Sequence, residues 1–297
     1  MYVSWSPSSA QATSNASSAQ TSLQKTQQQI STGKSINDAS DNAALWDMAT
    51  SNYSQSGAVS AVMTSQQGMT LPLAATSQSA VGGIANTLNA MRNNLIALQG
   101  GGDQNAILQS LQAQGKALSS SVSQAGLNGV NLLDGSTGAQ GDNFLVSYGE
   151  YDQGGQTASV NVAAGNLVNS AGTGTFQAAK ASGSGAATDL TALTANDLSP
   201  GNIAQTLANL NAAQDQLQSV AGNVGAFNNL VGQAYNTNAT SQIDLANATA
   251  GVDNADMAEE STQMSAQNVQ QQLAVMAQGI ANRSSANVLK LFQQNAA

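Results

Sequence analysis

Thr32-Gly33-Lys34-Ser35 has the wording that closes a phosphate-binding loop, where backbone amides and a lysine cradle the phosphates of a nucleotide. That chemistry needs another glycine five positions before Gly33, and the place is held by Gln28. It also needs a strand upstream, whereas the residues before Thr32 carry helical wording. The tetrapeptide therefore reads as a turn between helices. Asp253, Asn254 and Asp256 could offer oxygens to a hard cation, but they lack the alternate spacing and the glycine of a calcium loop. A helix start is the simpler reading, because Asp accepts the first orphan amides of a helix. The chain has no Cys and no His, so thiol catalysis, Ser-His-Asp triads and most transition-metal sites fall away. No Gly-x-Ser-x-Gly elbow is present. The reading is a non-enzyme with no catalytic residues, no cofactor and no metal.

Composition narrows the partners. Of 297 residues, 7 are basic and 16 acidic, for a formal charge of -9. So few cations cannot neutralise many phosphates, which argues against nucleic acid and against anionic lipid surfaces. No run reaches the ~18 apolar residues of a membrane span, so no membrane insertion is expected. Met1 to Ala10 lacks the basic cluster and apolar core of a cleaved signal. The expectation is a cytoplasmic protein, or one that leaves the cell without a cleaved signal.

If nothing in the chain is built for catalysis, its patterning must serve packing. Val269, Leu273, Met276 and Ile280 recur at steps of four, three and four, and Val288 and Leu291 extend the stripe. Such a seam stays on one side of a helix and has to be covered. At the other end Ser8 to Ile30 is Ala-, Ser- and Gln-rich, with Ala16, Leu23 and Ile30 seven apart, a helix that is marginal in isolation. Neither end can bury its stripe alone, so the termini pair with each other or with further copies. Gly33 suits a helix C-cap, and Asp38 to Asp41 can open the next helix.

That next stretch holds Ala44, Trp46 and Met48 and runs toward Leu98, with Ile84, Leu88, Met91, Leu95 and Leu98 in a four-three series and a kink expected at Pro72. Trp46 reads as core or interface packing, and the methionines as adaptable packing. After Gly100-Gly101-Gly102, Ile107, Leu111, Leu118, Val122 and Ala125 share a second helical face, and Leu127-Asn128-Gly129-Val130 reads as a turn. Between about Gly135 and Pro200 the helical period disappears. Phe144 to Tyr148 and Ser159 to Val162 alternate like hairpin strands, and Ala178 to Ala187 reads as exposed loop. Ser199-Pro200 has the wording of a helix start. Ile203, Leu207, Leu210, Leu217, Val220, Val224, Phe227 and Val231 then sustain a stripe for about four heptads. The pattern breaks near Gly251, and Asp256 with Glu259 resembles a capping box. The fold class expected is mainly α: long coiled-coil helices from both termini packed together, with a small β- and loop-rich central segment.

Several of these segments closely resemble one family. Leu23-Gln24-Lys25-Thr26 through Ile30-Ser31-Thr32-Gly33, Ile36 and Ala39-Ser40-Asp41-Asn42-Ala43-Ala44 resemble the N-terminal signature of bacterial flagellins, in wording similar to the alphaproteobacterial branch. Leu127-Asn128-Gly129-Val130-Asn131-Leu132-Leu133 is similar to the turn that leaves the flagellin helical core. Asp256-Met257-Ala258-Glu259-Glu260 and Val288-Leu289-Lys290-Leu291 resemble the C-terminal pair.

The resemblance implies the subunit of a homopolymeric, extracellular filament used for swimming, exported unfolded by the flagellar type III route. Its implied partners are an export chaperone at the C-terminal helix and the flagellar cap and junction proteins. Residues 1–40 and 256–297 would form an inner layer, packed through Leu23, Ile30, Val269, Leu273, Met276, Ile280, Val288 and Leu291. Residues 41–134 and 200–255 would form a second layer, packed through Trp46, Leu88, Met91, Arg92, Leu95, Leu111, Leu118, Leu207, Leu210, Leu217 and Val224. Residues 135–199 would be the variable outer segment. Flagellins sensed by the vertebrate Toll-like receptor carry Leu-Gln-Arg-Val-Arg-Glu-Leu; here Leu88 to Asn94 keeps Leu88 and Arg92 alone of the key positions, which implies weak receptor activation. A hook–filament junction protein, with similar ends, and a surface adhesin built on the Thr/Ser-rich middle are the competing readings.

Overall fold

A computed structural model describes residues 7–136, 142–150, 155–162, 165–182 and 185–294, with side chains from 10 to 283 of those spans other than 150 and 155. Val288 and Leu291, two expected packing positions, lie outside the described side chains. The elements in chain order are α1 (Pro7–Thr32), α2 (Ala43–Ser65), a π turn (Gln66–Thr70), α3 (Leu71–Gln99) and α4 (Gln104–Gln124). They are followed by β1 (Asp142–Glu150), β2 (Gly155–Val162), α5 (Ile203–Asp253) and α6 (Met257–Gln294). They form two compact units, one of Met1–Ser54 with Asp244–Ala297 and one of Gln55–Ile243. The mainly α class expected from the sequence is what is seen, with terminal helices α1 and α6 packed together and a small sheet in the middle.

Local chemistry sets most boundaries. Gly33 ends α1 at φ 70°, as a C-cap glycine should. Asn42 opens α2, its side-chain oxygen accepting from the Leu45 amide at 3.2 Å. The helix thus opens one residue beyond the expected window of Asp38 to Asp41, because Asp41 is occupied by the Asn37 amide and by Lys25. Asp103 caps α4, accepting from the amides of Asn105 and Ala106. Asp256 caps α6 in the same way through Ala258 and Glu259. Ser199-Pro200 does not begin α5. Its residues form a turn whose Ser199 carbonyl accepts from Asn202 and Ile203, and the helix starts at Ile203.

The kink expected at Pro72 is instead a widening. A helical proline removes a donor and crowds the carbonyl four residues back, here Gly68. The chain runs through a π turn at that place, with the Leu71 amide reaching the Gln66 carbonyl. The extra residue turns Gln66 and Thr70 inward. Gln66 donates from Nε2 to the Val146 carbonyl at 2.8 Å, and Asn238 donates to the same carbonyl at 2.9 Å and to Gln66 Oε1 at 3.2 Å. Val146 sits at the register shift between Leu145 and Ser147 in the antiparallel β1–β2 ladder. The π turn and the β-bulge are thus one hydrogen-bonded joint.

The unit of Gln55–Ile243 has two apolar clusters. The larger draws Leu88, Met91 and Leu95 from α3, Leu111, Leu118 and Val122 from α4, and Leu210, Leu217 and Val224 from α5. The smaller joins Leu73, Phe144, Val146, Val162, Phe227 and Val231, with the rings of Phe144 and Phe227 5.0 Å apart. Asn128 and Gly129, at φ 52° and 83°, make the tight turn that leaves α4. Asn131 then closes that helix, donating to the Val122 carbonyl at 2.6 Å.

The middle segment departs from the expected outer loop. Leu167, Phe176, Leu190, Leu193 and Leu198 are buried in the larger cluster beside the helices. Ala179, within the tract expected to be exposed, is buried and pairs with Thr188, although its neighbours are in solvent. Polar side chains hold this irregular chain down. Asn209, fully buried, accepts from the Ala181 amide and donates to the Ala186 carbonyl and the Thr188 hydroxyl. Gln112 donates to the Leu193 carbonyl.

Candidate assembly surface

In the unit formed by the chain's ends, α1 lies antiparallel to α6, with Gln278 donating to the Thr13 hydroxyl near one end and Lys34 bridged to Asn254 at the other. The α1 face turned inward is Ala12, Ala16, Ala19, Leu23, Thr26 and Ile30. Their steps of four and three continue the Ala16, Leu23, Ile30 series, with both Leu23 and Ile30 in the seam. The α6 residues with least exposure are Glu260, Met264, Gln267, Gln271, Ala274, Gln278 and Ala281, again at steps of four and three. Such a seam brings backbones close through alanine, but each alanine removes little apolar surface from water. Glu260 Oε2 and Gln267 Oε1 are buried there with no hydrogen-bond partner among the described residues.

The large apolar residues of α6 face elsewhere. Val269, Leu273, Met276 and Ile280 are exposed at 55%, 55%, 56% and 70%. At 3.6 residues per turn, the centre of this stripe lies roughly 160° around α6 from the α1-facing positions. Of the two covers left open for this stripe, the chain's own N-terminal helix does not supply one within the single chain. An alanine-lined α1 admits a close partner face, and Ala274, Ala281 and unbranched Gln and Met side chains supply one. Branched Val and Ile do not. Alongside the stripe runs a groove of about 490 Å³ between the two helices, floored by Ala12, Ala19, Ala274 and Ala277 with Leu273 on its wall.

Trp46, expected in a core or interface, is 37% exposed in the single chain, so it is not core. Of the expected second-layer positions, Leu88, Met91, Leu95, Leu111, Leu118, Leu210, Leu217 and Val224 are buried inside one chain, and Leu207 packs at the edge of the same cluster. Within one chain they pack the core of the Gln55–Ile243 unit. Arg92 is exposed, on a groove between α3 and α5 that also holds Asp215.

Polar groups gather where the linkers of this terminal unit meet. Lys34, from the tetrapeptide with phosphate-loop wording, donates to Asp253 Oδ2 at 2.5 Å and to the Tyr53 hydroxyl at 3.1 Å. The hydrogen bond that Lys34 donates to the Asp253 carboxylate, then the one it donates to the Tyr53 oxygen, raises the Lys34 ammonium above its ordinary value. Lys25 and the Asn37 amide hold the Asp41 carboxyl below its ordinary value, and the Ser40 hydroxyl does the same for Asp38. Tyr53, Gln66 and Asn209 carry no periodic or motif signal, so sequence reading passes over them, and Asn238 heads only an Asn-x-Thr triplet that means little in so Asn-rich a chain. Among the described residues no helix is long and apolar enough to cross a membrane.

Two family models match the chain. The bacterial flagellin N-terminal helical region covers residues 3–137, and the bacterial flagellin C-terminal helical region covers residues 207–292. The chain is 30% identical over 280 residues to a flagellin of Brucella melitensis, covering 92% of each chain. It is 27% identical over 300 residues to flagellin C of Rhizobium meliloti, covering 92% of this chain and 93% of that one. To flagellin FljM of Caulobacter vibrioides it is 27% identical over 292 residues, covering 94% of each.

Proposed function

The chain belongs to the bacterial flagellin family, and from that premise we propose that it is a filament subunit which self-assembles through its terminal helices to build the propeller for swimming. The observation that carries this reading is the stripe Val269, Leu273, Met276 and Ile280, exposed on the side of α6 away from α1. Water penalises such a surface in proportion to its apolar area, and a second copy is the partner that a polymer supplies. Burying four side chains of this size stabilises a contact by several kcal/mol, at about 1.5–3 kcal/mol each when burial is complete.

In this reading α1 and α6 form the inner layer of the filament. The helices of the Gln55–Ile243 unit form the second, with residues 165–198 included because they share its core. The filament is extracellular, and the subunit reaches it by the flagellar export route. An export chaperone covers the α6 stripe before assembly, and cap and junction proteins bound the growing filament. No catalytic step is assigned.

Leu273→Asp and Ile280→Asp test the stripe. Both positions are in solvent in the single chain, so the thermal melt and circular dichroism of each variant should match the native chain. Electron microscopy should then find no filaments under salting-out conditions that polymerise the native protein. Filaments of normal length from both variants would defeat the reading.

A further inference from the structure

The α1–α2 and α5–α6 linkers meet in a small constellation built of parts 219 residues apart in sequence. Lys34 and Asn254 form an antiparallel bridge. The Ser35 amide donates to the Asp253 carbonyl at 2.7 Å, and the Ala255 amide donates to the Gly33 carbonyl at 3.0 Å. The Ser35 hydroxyl reaches the Val252 and Asp253 carbonyls at 3.3 Å. On this frame the Asp253 side chain is only 5% exposed. Its Oδ2 accepts from Lys34 Nζ and from the Tyr53 hydroxyl, the latter at 2.9 Å. The Lys34 ammonium also lies 4.9 Å from the centroid of the Tyr53 ring.

The seam beyond this point has the opposite character. Ala12, Ala16 and Ala19 repeat along α1, and Gln267, Gln271, Ala274 and Gln278 repeat along α6. Sliding one helix by a heptad would set the alanines of this stretch against Gln and Met side chains once more. The outer part of the seam thus does little to fix register, and the larger Leu23 and Ile30 lie nearer the linkers. Repetitive seams leave register open, and a single polar group that must find its partner is what closes it. Asp253 is such a group: buried, charged, and satisfied only when Lys34 and Tyr53 arrive together.

We infer that the Lys34–Tyr53–Asp253 cluster is a register latch, which fixes the turn of α1 that faces each turn of α6 and from which the pair closes toward its tips. The latch acts within one chain and does not depend on the filament reading.

The chain's lack of cysteine makes the test clean. Thr13→Cys is combined with Gln278→Cys, its partner in the fold, or with Gln271→Cys, one heptad out of register. Disulfide formation under mild oxidation is timed for each pair in the full chain. With the latch native, the 13–278 pair should cross-link at least about tenfold faster than 13–271. Lys34→Met or Asp253→Asn should shrink that preference by on the order of tenfold, and the two together should do no more than either alone. Tyr53→Phe should take away a smaller part. An Asn94→Cys, Ser110→Cys pair across α3 and α4 should cross-link at an unchanged rate throughout, which excludes general unfolding. Preference for 13–278 that survives both Lys34→Met and Asp253→Asn, or no preference in the native chain, overturns the latch.

Discussion

Gly115 separates two arguments that usually agree. Helix propensity says that replacing a mid-helix glycine with alanine stabilises by about 1 kcal/mol. A Cβ on Gly115, however, would stand 2.6 Å from the Thr191 carbonyl oxygen and 2.8 Å from that of Leu190. Both are backbone atoms in the packed middle segment, so neither can swing aside. Gly115→Ala should therefore destabilise the chain by about 1–3 kcal/mol, read as a lower urea midpoint. Gly83→Ala, in the same kind of helix with open space around it, should stabilise by about 0.5–1 kcal/mol and so raise the midpoint.

Charge acts at the same scale. Asp41 is lowered below its ordinary 3.8 by Lys25 and the Asn37 amide, so its contribution is present above that pH and lost as pH falls through the lowered value. Lys34 is raised above 10.5 by Asp253 and Tyr53, so its contribution is complete below 10.5 and lost as pH climbs through the raised value. Thermal melts across pH should fall off at both ends, with Asp41→Asn flattening the acid limb and Lys34→Met the alkaline one. Because Lys25 is half exposed, the acid effect should be the smaller.

At the scale of elements, periodicity carried furthest. The stripes of α3, α4 and α5 lie in the core because a four-three repeat has one side to bury. The cap at Asp256 and the turn at Asn128-Gly129 were readable from residue type alone, whereas the cap at Asp103 was passed over. Four further features were not readable. The α2 and α5 starts moved by a few residues because Asp41 and Ser199 make other bonds. The segment 165–198 looked like loop because backbone hydrogen bonds and the amides of Asn209 and Gln112, rather than alternation, hold it in place. The α6 stripe was legible as a helix face, but its direction was not, because direction depends on what α1 can accept. The π turn had only Pro72 to announce it. Its joint with the hairpin gives a prediction of its own. Asn238→Ala leaves the buried Gln66 Oε1 without the donor it has now, at a cost of about 1–3 kcal/mol. Amide hydrogen exchange should quicken in β1 before it does in α4.

For the whole molecule, both apolar clusters lie inside Gln55–Ile243. A chain trimmed to those residues should keep a cooperative melt, whereas the stripe on α6 and the seam on α1 are gone with the ends. On the proposed filament reading, it should stay soluble under salting-out conditions in which the full chain forms filaments, with electron microscopy as the readout. Loss of the cooperative melt on trimming would mean that the ends supply fold as well as contact.

The reverse-side placement of Val269, Leu273, Met276 and Ile280 has a consequence for growth. Closing α1 onto α6 leaves that ridge bare, so a chain need not undo its own pairing to gain a neighbour. Folding and joining then draw on different sides of one rod and do not compete. On the proposed filament reading, subunit concentration rather than any rearrangement within each chain should set the rate of elongation, which light scattering against protein concentration would measure.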